Sequence, residues 1–249
     1  MSLEGKTILI TGASRGIGAA AAKTCSEAGA RVLMHASAPS DAAVETARVI
    51  GARPEDILYE DLSKPEAGFR LVEQALARAE TLDGVVNNAG VYEASPLDGD
   101  RAAWREGWRL TLAVNVEAPA DISRAVAAHM QTHAGGIIVN VASRAGHRGD
   151  GPDHGAYAAS KGAVLAMTKT WARALAGEGV LFYAVAPGWV ETRMAPEDIE
   201  ARKRAVADIP LGRVAQPEEV AALIAFLLTG ACASATGATF DINGASYVR

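Results

Sequence analysis

A phenol and an ammonium stand one helical turn apart in Tyr157-Ala-Ala-Ser-Lys161, a spacing that puts both side chains on the same helix face. An ammonium beside a phenol favours the phenolate and draws the tyrosine pKa from about 10 towards the working pH, as a general acid/base requires. Ser143 lies fourteen residues upstream. It follows the apolar run Ile137-Ile-Val-Asn-Val141, where a buried strand would stop and turn a hydroxyl towards a pocket. The chemistry on offer is proton transfer at an oxygen, with a second hydroxyl to steady the charge that develops there. Another grouping, Thr11-Gly-Ala-Ser-Arg-Gly-Ile-Gly18, follows the run Thr7-Ile-Leu-Ile10. A glycine-rich turn between strand and helix lets backbone N–H groups and the positive helix end approach a pyrophosphate. Its spacing is G-x-x-x-G-x-G rather than the commoner G-x-G-x-x-G.

These groups need a scaffold, and the chain alternates short β-branched runs with longer alanine-rich windows from end to end. That alternation predicts βαβ units on a parallel sheet, an α/β fold. The expected strands are Thr7–Ile10, Arg31–Met34, Ile57–Tyr59, Gly84–Val86, Ile137–Val141, Leu181–Val185 and Thr239–Ile242. Between them lie helical windows Ala19–Ala28, Ala42–Ile50, Arg101–His133, Ala156–Leu175 and Pro217–Leu228. Ser63-Lys-Pro-Glu66 carries a capping-box pattern that predicts a helix start after the third strand. Arg144 to Gly155, rich in Gly, Asp and His, reads as an irregular loop between Ser143 and Tyr157, where a substrate would be recognised. With no linker or repeat in sight, residues 1–249 are expected to form a single doubly wound domain, large enough for one full core.

Composition excludes several function classes. The net charge of −5 comes without a cluster of Lys and Arg, which argues against nucleic acid as a partner. Cys25 and Cys232 are too few and too far apart for a disulfide scaffold or a thiolate metal site, so a reducing, cytoplasmic setting is expected. No signal peptide is visible at Met1-Ser2-Leu3-Glu4-Gly5. The apolar run Val220–Leu228 is about half of what spans a bilayer, so no membrane association is expected. His129 and His133 stand one turn apart but have no third ligand at a fitting spacing, and no metal is expected. Trp104 and Trp108, also four apart, read as core or subunit-contact residues.

Thr11-Gly-x-x-x-Gly16-x-Gly18, Asn87-Asn-Ala-Gly90, Ser143, Tyr157-x-x-x-Lys161 and Pro187-Gly188, in this order and over the whole length, resemble the short-chain dehydrogenase/reductase family. The ending Gly237-Ala-Thr-Phe-Asp-Ile-Asn-Gly244 is similar to its 3-oxoacyl-acyl-carrier-protein reductase branch, although Ala245 stands where those relatives usually have a second glycine. The resemblance implies a seven-stranded Rossmann-type sheet, a nicotinamide dinucleotide at its carboxyl edge, and interconversion of a carbonyl and a secondary alcohol. By the same resemblance Tyr157 is the proton donor, Lys161 holds the phenolate and the nicotinamide ribose, and Ser143 bonds the carbonyl oxygen. Asn115 would tie Lys161 to a water chain, or else is an ordinary residue of a helix kink.

For the cofactor, the resemblance implies contacts from Gly12, Ser14, Arg15, Gly16, Ile17 and Gly18 in the turn, from Asp61 and Leu62 after the third strand, and from Tyr157 and Lys161 themselves. Asn88, Ala89 and Gly90 would line the floor, and Pro187, Gly188, Val190 and Thr192 would hold the nicotinamide end. NADP(H) is expected over NAD(H), because Ala36 stands where NAD-dependent relatives carry an acid that repels a 2′-phosphate, although use of NAD(H) stays open. His35, Ser37 and Arg15 are the expected phosphate donors. The substrate reads as a small polar ketone or sugar-like alcohol, recognised by Arg144, His147, Arg148, Asp150, Asp153, His154, Tyr92 and Trp189. A 3-oxoacyl-acyl-carrier-protein is the alternative. Docking an acidic carrier needs Lys or Arg beside the pocket, and Gln131–Gly136 and Ala176–Gly179, the stretches taken to match, offer none. A dinucleotide-binding redox sensor without chemistry is the alternative of another class, and the resemblance also implies a homodimer or homotetramer.

Overall fold

Seven strands form one parallel sheet in the computed structural model, which describes residues 2–192 and 199–248. In chain order they are β1 (Thr7–Ile10), β2 (Arg31–Ala36), β3 (Ile57–Tyr59), β4 (Gly84–Asn87), β5 (Gly136–Val141), β6 (Val180–Pro187) and β7 (Thr239–Ile242). The spatial order is β3-β2-β1-β4-β5-β6-β7. The order therefore reverses between β1 and β4, and a crevice opens there at the carboxyl ends of the strands.

Alternate side chains of each strand leave the sheet on opposite faces, and both faces are apolar because both are covered. Ile8, Ile10, Val86, Val139 and Val185 pack under α1 (Gly16–Glu27), α2 (Asp41–Ile50) and α9 (Pro217–Leu228). Leu9, Leu33, Val85, Ile138 and Phe182 pack on the other face, under α3 (Ala67–Leu76), α5 (Ala118–Gln131) and α7 (Gly155–Leu175). Complete burial of such a side chain contributes about 1.5–3 kcal/mol. The remaining helices are α4 (Arg101–Leu112), α6 (Ala145–Arg148) and α8 (Ile199–Ala207).

Three local expectations differ from what the fold adopts. The capping box at Ser63 does not form. Asp61 captures the Ser63 hydroxyl at 2.7 Å and its N–H at 3.0 Å, and α3 starts only at Ala67, after Glu66 at a left-handed φ of 59°. A short polar side chain bonding its own local backbone competes with the cap. The segment 101–133 is not uniform either, since a five-residue π turn, Ala113–Glu117, separates α4 from α5. The loop 144–155 contains the short helix α6 and a 3-10 turn, Pro152–His154. Trp104 and Trp108 pair with ring centroids 5.5 Å apart but stay half-exposed, outside the core. Among the described residues no helix is long and apolar enough to cross a membrane.

Candidate active site

The carboxyl ends of β1, β4, β5 and β6 open into a cleft of about 880 Å³. Its first half is made by the turn from β1 into α1. Gly12 and Gly16 take φ of 63° and 55°, where a side chain would be strained. Gly18 lies so close to the Gly12 carbonyl that an added Cβ would also stand 2.5 Å from Asn88 Nδ2. Thr11 Oγ1 accepts the N–H groups of Asn88 and Ala89, each at 2.9 Å, and Asn88 Nδ2 returns a bond to the Thr11 carbonyl at 2.8 Å. These bonds lock the end of β1 to the end of β4. Ser14, Arg15, Ile17, Ala36, Ser37, Asp61, Leu62 and Gly90 line the same half. Arg15 is exposed, with no side-chain partner among the described residues.

His35 is a correction to the expected phosphate donors. It is buried, the Gly12 N–H donates to its Nδ1 at 3.2 Å, and its Nε2 lies 2.9 Å from the Glu60 carbonyl. An accepting Nδ1 leaves the proton on Nε2, so both nitrogens are committed inside the fold. Burial holds this histidine below its usual pKa. Asp61 lies on the cleft, but its carboxylate is engaged by Ser63 and Lys64, and the Ser63 bonds hold it below the usual range.

In the other half, β5 delivers Ser143 and the first turn of α7 delivers Tyr157. The two side chains line the cleft together, and Ser143 Oγ accepts the Ala145 N–H at 3.1 Å. Lys161 is buried one turn on, its Nζ donating to the Val141 carbonyl at 2.8 Å and standing 5.7 Å from the centre of the Tyr157 ring. Burial pushes the Lys161 ammonium down to about 8. Desolvation likewise pushes the Tyr157 phenol up to about 12, against the pull of the Ser143 hydroxyl. The downward shift expected from Lys161 does not appear in the protein alone, where desolvation of the phenolate is the largest influence.

Asn115 sits in the π turn, a common place for functional residues. Its Oδ1 accepts the Val91 N–H at 2.9 Å, and its Nδ2 donates to the Val91 carbonyl at 3.0 Å and to Ser160 Oγ at 3.1 Å. Ser160 in turn donates to the Tyr157 carbonyl at 2.7 Å. Asn115 therefore fixes the backbone around Tyr157, and among the described residues it makes no direct bond to Lys161. Gly90 passes between them: a Cβ there would be 3.3 Å from Asn115 Oδ1 and 3.6 Å from Lys161 Nζ. Pro187, Gly188, Val190 and Thr192 close the cleft over Gly16.

Of the expected substrate residues, Tyr92, Arg144, Arg148, Asp150 and Trp189 line the cleft. Tyr92 stacks on His154 at 3.8 Å and meets Tyr157 edge-on at 4.7 Å. His147 is turned away, stacked on Tyr247. Gln131–Gly136 and Ala176–Gly179 prove to be no part of the rim, because they lead into the starts of β5 and β6 and so lie at the opposite edge of the sheet. Leu110, Val114 and Ser246 were not foreseen. Thr11, the first residue of the glycine-turn motif, gains a role the motif does not specify, as the acceptor that ties β1 to β4. Ser246, which bonds Arg144, is 102 residues away and leaves no sequence signal.

The sheet order and crevice define a Rossmann-type α/β protein. The sequence pattern of a family described as enoyl-(acyl carrier protein) reductase matches residues 12–245. The chain is 36% identical over 247 residues to a 3-oxoacyl-[acyl-carrier-protein] reductase of Thermotoga maritima, covering 98% of each. Among solved structures it is similar to a short-chain dehydrogenase of Burkholderia cenocepacia in complex with NADP, with a TM-score of 0.89, 32% identity and 99% of each chain covered. A candidate NAD(P)-dependent gluconate 5-dehydrogenase of Beutenbergia cavernae, with bound NADP, matches with a TM-score of 0.88, 35% identity, and 98% and 97% coverage. The chain belongs to the short-chain dehydrogenase/reductase family of oxidoreductases, in its 3-oxoacyl-acyl-carrier-protein reductase-like branch.

Proposed function

We propose that the protein interconverts a carbonyl and a secondary alcohol on a small polar substrate, with NADP(H) preferred over NAD(H), and that residues 1–249 act as one dinucleotide-binding and catalytic unit. One observation carries this reading: Ser143, Tyr157 and Lys161 converge on the cleft that the glycine turn opens. The cleft fits a dinucleotide, since the turn offers close backbone approach at one end and Thr192 and Gly188 lie at the other. Gly12, Ser14, Arg15, Gly16, Ile17 and Gly18 would hold the pyrophosphate side, with Asp61, Leu62 and Asn88 to Gly90 around the adenosine and floor. Pro187, Gly188, Val190 and Thr192 would hold the nicotinamide side. That cofactor supplies a hydride to the substrate carbon in reduction and takes one in oxidation.

The chain's own residues move the proton. In reduction the Tyr157 hydroxyl gives its proton to the carbonyl oxygen, and in oxidation the phenolate takes the alcohol proton. Ser143 Oγ donates a hydrogen bond to the same oxygen. Lys161 favours the phenolate once the substrate and cofactor side is assembled, and Asn115 is a positioning residue for this turn of α7. Preference for NADP(H) is supported by the absence of an acid at Ala36, by exposed Ser37 and Arg15 beside it, and by the two NADP-bound relatives.

The likeness to a 3-oxoacyl-acyl-carrier-protein reductase favours a second reading, an acyl-carrier substrate. Against it, among the described residues the exposed charges on the rim are Arg15 and Arg148 facing Asp61, Glu93 and Asp150, which gives no field to attract an acidic carrier. A cytoplasmic homo-oligomer, with α4 and α7 at the subunit contact, is in keeping with two free cysteines and the half-exposed Trp104 and Trp108. The test is a panel of ketones and alcohols with NADPH and NADP+, which includes an acyl-carrier thioester and the same acyl group on a small thiol. Carbonyl-dependent NADPH oxidation is expected, with no advantage for the carrier form. A protein that binds NADPH but turns over nothing would instead be a sensor.

A further inference from the structure

Arg144 is only 8% exposed, on the wall of the cleft one residue past Ser143. Its Nη1 donates to the Ser246 hydroxyl, and among the described residues no carboxylate forms an ion pair with it. Asp150 and Asp208 act on it through space without an ion pair: both are exposed, Asp150 accepting the Gly151 N–H at 2.8 Å and Asp208 lying just beyond α8. Arg148 adds a second positive charge at the mouth. Tyr92 links the two functions of the wall, since its ring meets Tyr157 edge-on and its hydroxyl lies in the field of Arg144.

A guanidinium stays charged at any working pH, and enclosing it without a counter-ion costs several kcal/mol. Elsewhere this chain pairs its partly buried arginines: Arg31 with Asp56, and Arg70 with Glu60. Arg144 is more buried than either of these and is left with a neutral hydroxyl. The planar fork of an arginine suits a planar carboxylate in particular.

We propose that the substrate is an anionic hydroxy or oxo acid whose carboxylate binds Arg144 while its carbonyl or alcohol carbon meets Ser143 and Tyr157. This rests on the oxidoreductase reading and narrows its substrate class from polar to acidic. Substrate binding would supply the missing counter-ion and would orient the reacting carbon from the end remote from it.

The full-length protein is assayed with NADPH on pyruvate, acetoacetate and 4-oxopentanoate and on their methyl esters. At least one acid should exceed its ester in kcat/KM by about 10- to 100-fold, the worth of a hydrogen-bonded charge pair. Arg144→Met should erase that ratio mainly through KM, and Arg144→Lys should keep part of it. Esters used as well as their acids would overturn the inference and leave the oxidoreductase reading intact. A second arm needs no turnover or variant: calorimetric titration of the NADP+-saturated protein with pentanoate and with pentanamide. Tighter binding of pentanoate is expected, and equal binding, or none of either, overturns the proposal. If pentanoate binds more tightly but no carbonyl compound is reduced, the anion site stands and the oxidoreductase reading falls.

Discussion

The two halves of the cleft are built from different material. Around Gly12, Gly16 and Gly18 the wall is backbone, held by Thr11, Asn88 and a histidine behind the turn. Around Tyr157 the wall is side chains drawn from β5, the segment after it, α7 and the loop after β4, with Ser246 bonding Arg144 from outside the lining. A backbone wall suits a ligand shared by many proteins, because every chain has the same N–H and C=O groups to offer. A side-chain wall can be changed one residue at a time, which is where substrate choice can reside.

If this division holds, substitutions in one half should spare the function of the other. Tyr157→Phe makes the largest test. It removes only the transferable proton, so kcat should fall by about two to four orders of magnitude while NADPH affinity, read by fluorescence titration, stays as it was. Turnover within threefold of the parent would rule out the assigned acid. A smaller effect is expected from Ala36→Asp at the far end of the cleft. An acid there would repel a 2′-phosphate and accept the ribose hydroxyls, and the ratio of kcat/KM for NADPH over NADH should drop by about tenfold, 1.4 kcal/mol. Preference for NADH in the parent, or an unmoved ratio in the variant, would show that Ala36 is not the discriminating position.

The same division explains what the sequence made legible. The strands were readable because a parallel sheet covered on both faces demands short apolar runs, and all seven expected runs are strands, with β2, β4 and β6 reaching beyond their expected ends to Ala36, Asn87 and Pro187. The glycine turn was readable because close approach and positive φ leave few residues to choose from. Asn115 was ambiguous for a physical reason: a π turn differs from an α-helix by one residue per turn and has no composition of its own. Burial could not be read from spacing alone, and burial reverses the expected direction for Tyr157 and removes His35 from the cofactor donors. Arg144 reads in the sequence as one of several polar loop residues; only the fold encloses it with no carboxylate ion-paired to it among the described residues.

His35 offers the smallest test and the sharpest one of the backbone half. Its Nδ1 can accept the Gly12 N–H only while unprotonated, and burial holds its pKa below the ordinary histidine value. The unfolded chain therefore takes up this proton first, near pH 6.5. A group depressed in the folded state contributes its full stability above that pH and loses it as the pH falls towards the folded value. The melting temperature should accordingly decline on acidification from pH 7 to pH 5. His35→Asn should decline less, because a carboxamide oxygen can accept the same N–H without titrating. His129 is also held low, by burial and then by His133, but it is present in both proteins, so the difference between the two slopes isolates His35. NADPH affinity, a property of the folded protein, should stay level through the pH at which the unfolded chain titrates and fall only lower, where the folded His35 itself takes up the proton and the bond behind the pyrophosphate turn is lost. Parallel slopes for parent and variant would mean that the Gly12–His35 bond does not hold the turn, and that the backbone wall is kept in place by Thr11 and Asn88 alone.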